Sequence, residues 1–152
     1  MRRLTLLWLF IAEMCFLDVN PSVCSIVRDR RKRSIFNLAA EVNAVAPRNA
    51  LTYIDYGNYC GPGGNGVALD GVDLCCEVHD HCYGERDRNE CKEYYRNLLF
   101  INYSWDLVNG QIHCEKEAES CPRAICECDK ALAECFATND GSFSSQRKRW
   151  FG

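Results

Sequence analysis

The chain has 152 residues, twelve of them cysteine, and a formal net charge of −3. The acidic balance argues against nucleic acid as a partner, which calls for a basic surface, and the length allows one small domain rather than two. Cysteine at this density points to an oxidising compartment.

Leu4 to Leu17 is apolar apart from Thr5 and Glu13 and follows Arg2 and Arg3. This reads as a secretory signal, too short and interrupted for a membrane span; Ser25 is a small residue suited to the cut, which gives a signal peptide over 1–25. The run Arg30-Arg31-Lys32-Arg33 reads either as a processing site closing a short basic propeptide, 26–33, or as a solvated charge run. Cleavage after Arg33 would leave 119 residues, 34–152, and would remove seven of the 18 basic residues and three of the 21 acidic ones, moving the formal charge to −7. It would also remove Cys15 and Cys24. The ten cysteines left, an even number in a small secreted domain, imply five disulfides, each worth about 2–4 kcal/mol. Zinc is disfavoured, since Cys126-x-Cys128 lacks the paired C-x2-C spacing of a structural site.

Ile35, Leu38, Ala39, Val42 and Val45 recur at helical spacing, so a short amphipathic helix is expected over Ser34 to Val45, bounded by Pro47. Cys75 and Cys82 are seven residues apart, as are Cys128 and Cys135, so each pair shares one face of a helix. For the first of these helices Asp73 is the candidate N-cap and Gly84 the candidate end or bend. The second is expected to start between Ser120 and Pro122 and to end before Asn139-Asp140-Gly141. Pairing Cys75 with Cys135 and Cys82 with Cys128 would clamp the two helices antiparallel, one of many pairings ten cysteines allow. Between the helices lie an aromatic stretch, Tyr94 to Trp105, and the turn Asn109-Gly110, which predict a two-stranded wing. At the end, Arg147-Lys148-Arg149 beside Trp150 and Phe151 reads as a lipid-touching segment, a frayed tail or a further processing site.

The chemistry-bearing residues concentrate in Tyr59 to Tyr83. A glycine-rich turn at Gly61, Gly63 and Gly64 lets backbone carbonyls converge on a hard cation. It precedes His79-Asp80, and histidine is the side chain whose ordinary pKa suits a general base at neutral pH. His81 and His113 match no such pattern and are expected to be exposed. The chain has neither an EF-hand loop nor a Gly-x-Ser-x-Gly elbow.

Tyr59-Cys60-Gly61-x-Gly63-Gly64, then Asp73-x-Cys75-Cys76-x-x-His79-Asp80-x-Cys82-Tyr83, then Cys126-x-Cys128-Asp129 resemble the secreted phospholipases A2, and the likeness covers nearly all of 34–152. The resemblance implies a mainly α, disulfide-rich fold: two long antiparallel helices clamped by disulfides, an N-terminal helix, a calcium-binding loop and a small two-stranded β-wing. It implies Ca2+ held by the carbonyls of Tyr59, Gly61 and Gly63 and by the Asp80 carboxylate. His79 would be the base, oriented by Asp129, with Tyr83 and Tyr103 bonded to that aspartate. The Gly61 N–H would stabilise the oxyanion as the sn-2 ester of a glycerophospholipid is hydrolysed. Ile35, Phe36, Leu38 and Val42 would line or rim the acyl channel. The implied pairs are Cys60–Cys76, Cys75–Cys135, Cys82–Cys128, Cys91–Cys121 and Cys114–Cys126.

The chain departs from better-known members at Asn58 and Leu107, where cysteines are usual, and their partner positions also lack cysteine. The implied partner is a phospholipid membrane or micelle interface. The alternative is a non-catalytic or dual-role protein that binds a cell-surface receptor or channel on the same scaffold. The sequon Asn102-Tyr103-Ser104 permits a glycan, and in a strand Asn102 and Tyr103 would face opposite sides.

Overall fold

The computed structural model describes residues 34–94, 97–116 and 118–149. The expected signal peptide and propeptide, with Cys15, Cys24 and the basic run to Arg33, lie outside the described residues, as do Trp150 and Phe151.

Helix α1 spans Ser34–Val45, the bounds its apolar spacing predicts. Its inward face differs from the expected one. Ile35 and Phe36 are exposed, while Asn37, Glu41 and Val42 are buried. The reason is that this face meets polar groups: Asn37 Nδ2 donates to the backbone carbonyl of Tyr103 at 2.8 Å. Leu38 and Val45, partly buried, pack against the main core.

Helix α2 spans Gly71–Arg88. Its N-cap is Asp70 rather than Asp73, since the Asp70 carboxylate accepts the Asp73 N–H at 2.9 Å, satisfying one of the open donors of the first turn. Gly84 neither starts nor stops anything, and the helix runs one turn beyond it. Helix α3, Ser120–Asn139, continues into a 3-10 turn at Asp140–Ser142. Disulfides Cys75–Cys135 and Cys82–Cys128 join α2 to α3 at both ends of a shared face, so the helices run antiparallel. The other three are Cys60–Cys76, Cys91–Cys121 and Cys114–Cys126. All five are the implied pairs.

Strands β1, Trp105–Val108, and β2, Gln111–Cys114, form the antiparallel wing, with Trp105 opposite Cys114 and Val108 opposite Gln111. Asn109 and Gly110 both have positive φ, 52° and 78°, the two-residue turn that matches strand twist. Just before β1, Ile101 and Tyr103 are buried and Asn102 is exposed, so the sequon side chain does turn away from Tyr103.

The main core gathers Val42, Tyr53, Tyr56, Val72, Leu132 and Phe136, with Tyr53 stacked on Phe136 at 3.9 Å. A second cluster under the wing includes Leu98, Ile101, Tyr103 and Ile125. The tail does not fray within the described residues. Phe143 stacks on Tyr56 at 4.8 Å, the Gly57 N–H donates to the Arg147 carbonyl at 2.9 Å, the Arg149 N–H donates to the Asp55 carbonyl at 2.7 Å, and the Arg147 guanidinium pairs with Asp70.

Candidate active site

Asp73, two turns before Asp80 on α2, faces the glycine loop and is fully buried. Its carboxylate accepts the backbone N–H groups of Asn58 at 2.9 Å, Tyr59 at 2.8 Å and Leu69 at 2.9 Å. One side chain thus ties both ends of the loop to the helix. Side-chain bonds close the loop from within, Asn58 Nδ2 donating to the Val67 carbonyl at 2.8 Å and Tyr59 OH to the Gly66 carbonyl at 3.0 Å. The sequence suggests Asp73 as the cap instead; the run Asp70-x-x-Asp73 is the signal that a second acid could cap the helix and leave Asp73 for the loop.

Asp80 follows seven residues later, on the same face. A Cβ at Gly64 would stand 3.0 Å from Asp80 Oδ2 and 2.7 Å from Tyr59 Cδ1, so only glycine lets the loop approach the carboxylate this closely. Asp80 has no protein donor or ion-pair partner among the described residues. Although the residue as a whole is exposed, desolvation of its carboxyl, only partly offset by His79 and His81, raises its pKa. A carboxylate in that condition suits a cation.

No group of three or more His, Cys, Asp or Glu side chains gathers round one point among the described residues. A cation here would therefore have Asp80 as its side-chain ligand and backbone carbonyls for the rest, an all-oxygen set that fits calcium. Gly63, at φ 77°, holds a conformation open to glycine. The Gly61 N–H donates to the Tyr59 carbonyl at 2.7 Å and Asn65 Nδ2 lies 3.4 Å from the Gly63 carbonyl. The donor role expected of Gly61 needs the first of these bonds to open, whereas the Tyr59 carbonyl keeps a second lone pair for a cation.

Adjacent helical residues diverge by about 100°, so His79 faces α3 while Asp80 faces the loop. His79 Nε2 is 2.8 Å from Asp129 Oδ1, and its side chain is only 10% exposed. A carboxylate accepts only, so Nε2 carries the proton and Nδ1 is left with its lone pair, able to take a proton from water. Asp129 is fully buried. Tyr83 OH donates to its Oδ1 at 2.8 Å, and Tyr103 OH donates to its Oδ2. His79 is thus held by the carboxylate beneath it and packed against Tyr83, ring centroids 4.4 Å apart. His81 and His113 are exposed, as expected.

Of the expected channel residues, Ile35 and Phe36 stand exposed, Leu38 is half-buried and Val42 lies in the core. Val67, Leu69, Leu74 and Val78 are further exposed apolar side chains on the loop and on α2. A depression of about 410 Å³ beside them is lined by Gly66, Val67, Ala68, Asp70, Leu74 and Glu77 and includes none of the groups around His79. Sequence reading also passed over Asn37 and Glu41, polar residues inside an apolar stripe, both of which are buried.

Residues 35–148 match the family model described as Phospholipase A2. Among curated relatives, Phospholipase A2 SSD387 of Scolopendra dehaani is 40% identical over 79% of this chain and 82% of its own. Phospholipase A2 OS1 of Oxyuranus scutellatus scutellatus is 42% identical over 67% and 69%. A protein of the same snake, named acidic phospholipase A2 homolog taipoxin gamma chain, is 40% identical over 59% of each.

Proposed function

Because the chain belongs to the phospholipase A2 family, we propose that it is a secreted, calcium-dependent phospholipase A2 that hydrolyses the sn-2 ester of glycerophospholipids to lysophospholipid and free fatty acid. The observation that carries this reading is the bond from His79 to buried Asp129 on a helix whose next residue, Asp80, faces the glycine loop. His79 Nδ1 takes a proton from water as that water attacks the ester carbonyl. Asp129 fixes the tautomer and favours the imidazolium that forms, and Tyr83 and Tyr103 hold Asp129 in place. Calcium, held by Asp80 and the carbonyls of Tyr59, Gly61 and Gly63, would supply Lewis-acid stabilisation of developing negative charge. The Gly61 N–H, once turned from the Tyr59 carbonyl, is the chain's own donor to the oxyanion.

The exposed Ile35, Phe36, Val67, Leu74 and Val78 support peripheral docking on a lipid interface. The basic run Arg30-Arg31-Lys32-Arg33 supports a mature chain beginning at Ser34. The name of the taipoxin relative, a phospholipase A2 homolog, leaves a second reading, a non-catalytic or dual-role binding protein on the same scaffold.

One experiment separates the two. Protein secreted from the full chain in a eukaryotic host is given phospholipid vesicles with calcium or with a chelator, and sn-2 fatty acid release is measured. Calcium-dependent release that falls about a hundredfold or more in His79→Gln is expected. A folded, calcium-binding wild type that releases nothing overturns the hydrolase reading and leaves the binding role.

A further inference from the structure

Glu41 is fully buried on the inner face of α1. Its Oε2 has no hydrogen-bond partner. Its Oε1 faces Cys126 Sγ at 3.7 Å, but that sulfur is bonded to Cys114 and has no proton to give. The groups around it are acidic or phenolic: Asp129, Glu127 and Glu134 from α3, and Tyr103 from the segment before β1. None is a cation. Burial first, and then the nearby Asp129, push the Glu41 carboxyl up to about 9, against the opposing effect of Tyr103.

Tyr103 is held against the inner face of α1, its backbone carbonyl accepting at 2.8 Å from Asn37, one turn before Glu41. Its single proton goes to Asp129 Oδ2, and its oxygen keeps lone pairs that can accept. A bond between Tyr103 and Glu41 therefore needs the proton to come from Glu41. We propose that Glu41 is a neutral positioning acid whose O–H donates to the Tyr103 oxygen, while Tyr103 donates to Asp129, so that α1 helps to hold the carboxylate that orients His79. Hydrogen bonds in such a chain strengthen one another, and the arrangement gives the proton of a buried carboxyl an acceptor. The catalytic consequence rests on the hydrolase reading; the proton on Glu41 does not.

The test uses protein secreted from the full chain. Infrared spectra at neutral pH should show the carbonyl stretch of a protonated acid, absent in Glu41→Gln and shifted towards that of a non-bonded acid in Tyr103→Phe. No such band in the wild type, or a band unmoved by Tyr103→Phe, overturns the proposal. Melting curves give a second reading. The unfolded chain ionises Glu41 above the ordinary carboxylate range, whereas the fold keeps the proton up to about 9. Its contribution to stability is therefore complete at acid pH and is lost as pH rises to that value. The melting temperature of the wild type should fall relative to Glu41→Gln across this window, and parallel curves would sink the idea. In the vesicle assay, Glu41→Met should lower kcat by about threefold to tenfold, the effect of one lost hydrogen bond, with KM little changed, and Glu41→Gln, which keeps a donor, should recover most of the loss. Equal kcat in Met and wild type overturns the positioning role. A wild type without hydrolysis defeats the enzyme reading alone, since the infrared and melting arms still decide the proton and its acceptor.

Discussion

Asp129 has no contact with solvent, and a carboxylate in that position is tolerable because His79, Tyr83 and Tyr103 all donate to it. The donors differ in what could replace them. Tyr103 is buried, so its loss leaves an oxygen that water cannot reach, whereas Tyr83 is half-exposed and water can take its place. Tyr103→Phe should therefore cost about 1–3 kcal/mol of stability in denaturant titrations, clearly more than Tyr83→Phe. Each should lower kcat by less than about tenfold, because the bond from His79 to Asp129 survives either change. Equal stability losses would mean that Tyr103 is better hydrated than its burial indicates. At this scale the sequence was legible through the resemblance: the motifs named His79, Asp80 and Asp129, but His79 and Asp129 lie fifty positions apart and no spacing rule brings them together. Glu41 escaped notice because a polar residue in an apolar stripe looks like an error of the pattern until its polar neighbours are seen.

The elements show why apolar periodicity gave the bounds of α1 and yet misjudged its inner face. Periodicity assumes an apolar partner, and the partner of α1 includes the Tyr103 carbonyl, which accepts from Asn37 and so turns the face of Asn37 and Glu41 inward and leaves Ile35 outside. The same kind of tertiary demand displaced the cap of α2, since the loop needed a buried acceptor and took Asp73. The tail has a related part to play. Asn58 stands where the resemblance leads one to expect a cysteine, and the Gly57 N–H just before it donates to the Arg147 carbonyl of the tail, so hydrogen bonds and one ion pair fasten the tail there. Burial opposes ionisation of Asp70, but Tyr56, the Asp73 N–H and Arg147 outweigh it and lower its pKa. A depressed carboxylate adds stability above its ordinary range and loses it as pH falls through the folded-state value. Arg147→Ala should therefore lower the melting temperature at neutral pH, with a gap to wild type that narrows on acidification. It should also raise the calcium needed for half-maximal hydrolysis, because the loop is anchored from that side. Unchanged melting and calcium dependence would show that the tail merely rests on the loop.

For the whole molecule, the disulfides decide how firmly a small core holds its site. Seven-residue spacing put Cys75 with Cys82 and Cys128 with Cys135 on common faces, but spacing cannot say which face meets which, so the pairing was legible only through the resemblance. The bridges Cys75–Cys135 and Cys82–Cys128 close separations of 60 and 46 residues. In the chain-entropy account these differ little, each removing unfolded-state freedom worth about 4 kcal/mol. Their distance from the chemistry differs more. On α2 the two cysteines flank His79, Cys82 three residues after it and Cys75 four before, but on α3 Cys128 adjoins Asp129 whereas Cys135 lies six residues away, where the Asn139 amide contacts both sulfurs of the Cys75–Cys135 bridge. The double variants Cys75→Ala/Cys135→Ala and Cys82→Ala/Cys128→Ala should therefore lose similar stability in denaturant titrations. Assayed at a temperature where both are folded, the second should lose kcat several-fold, because the register of His79 against Asp129 is no longer fixed covalently, while the first should stay within about twofold of wild type. If both lose activity in proportion to stability alone, the clamp acts on the fold as a whole and the site takes its geometry from the hydrogen bonds to Asp129.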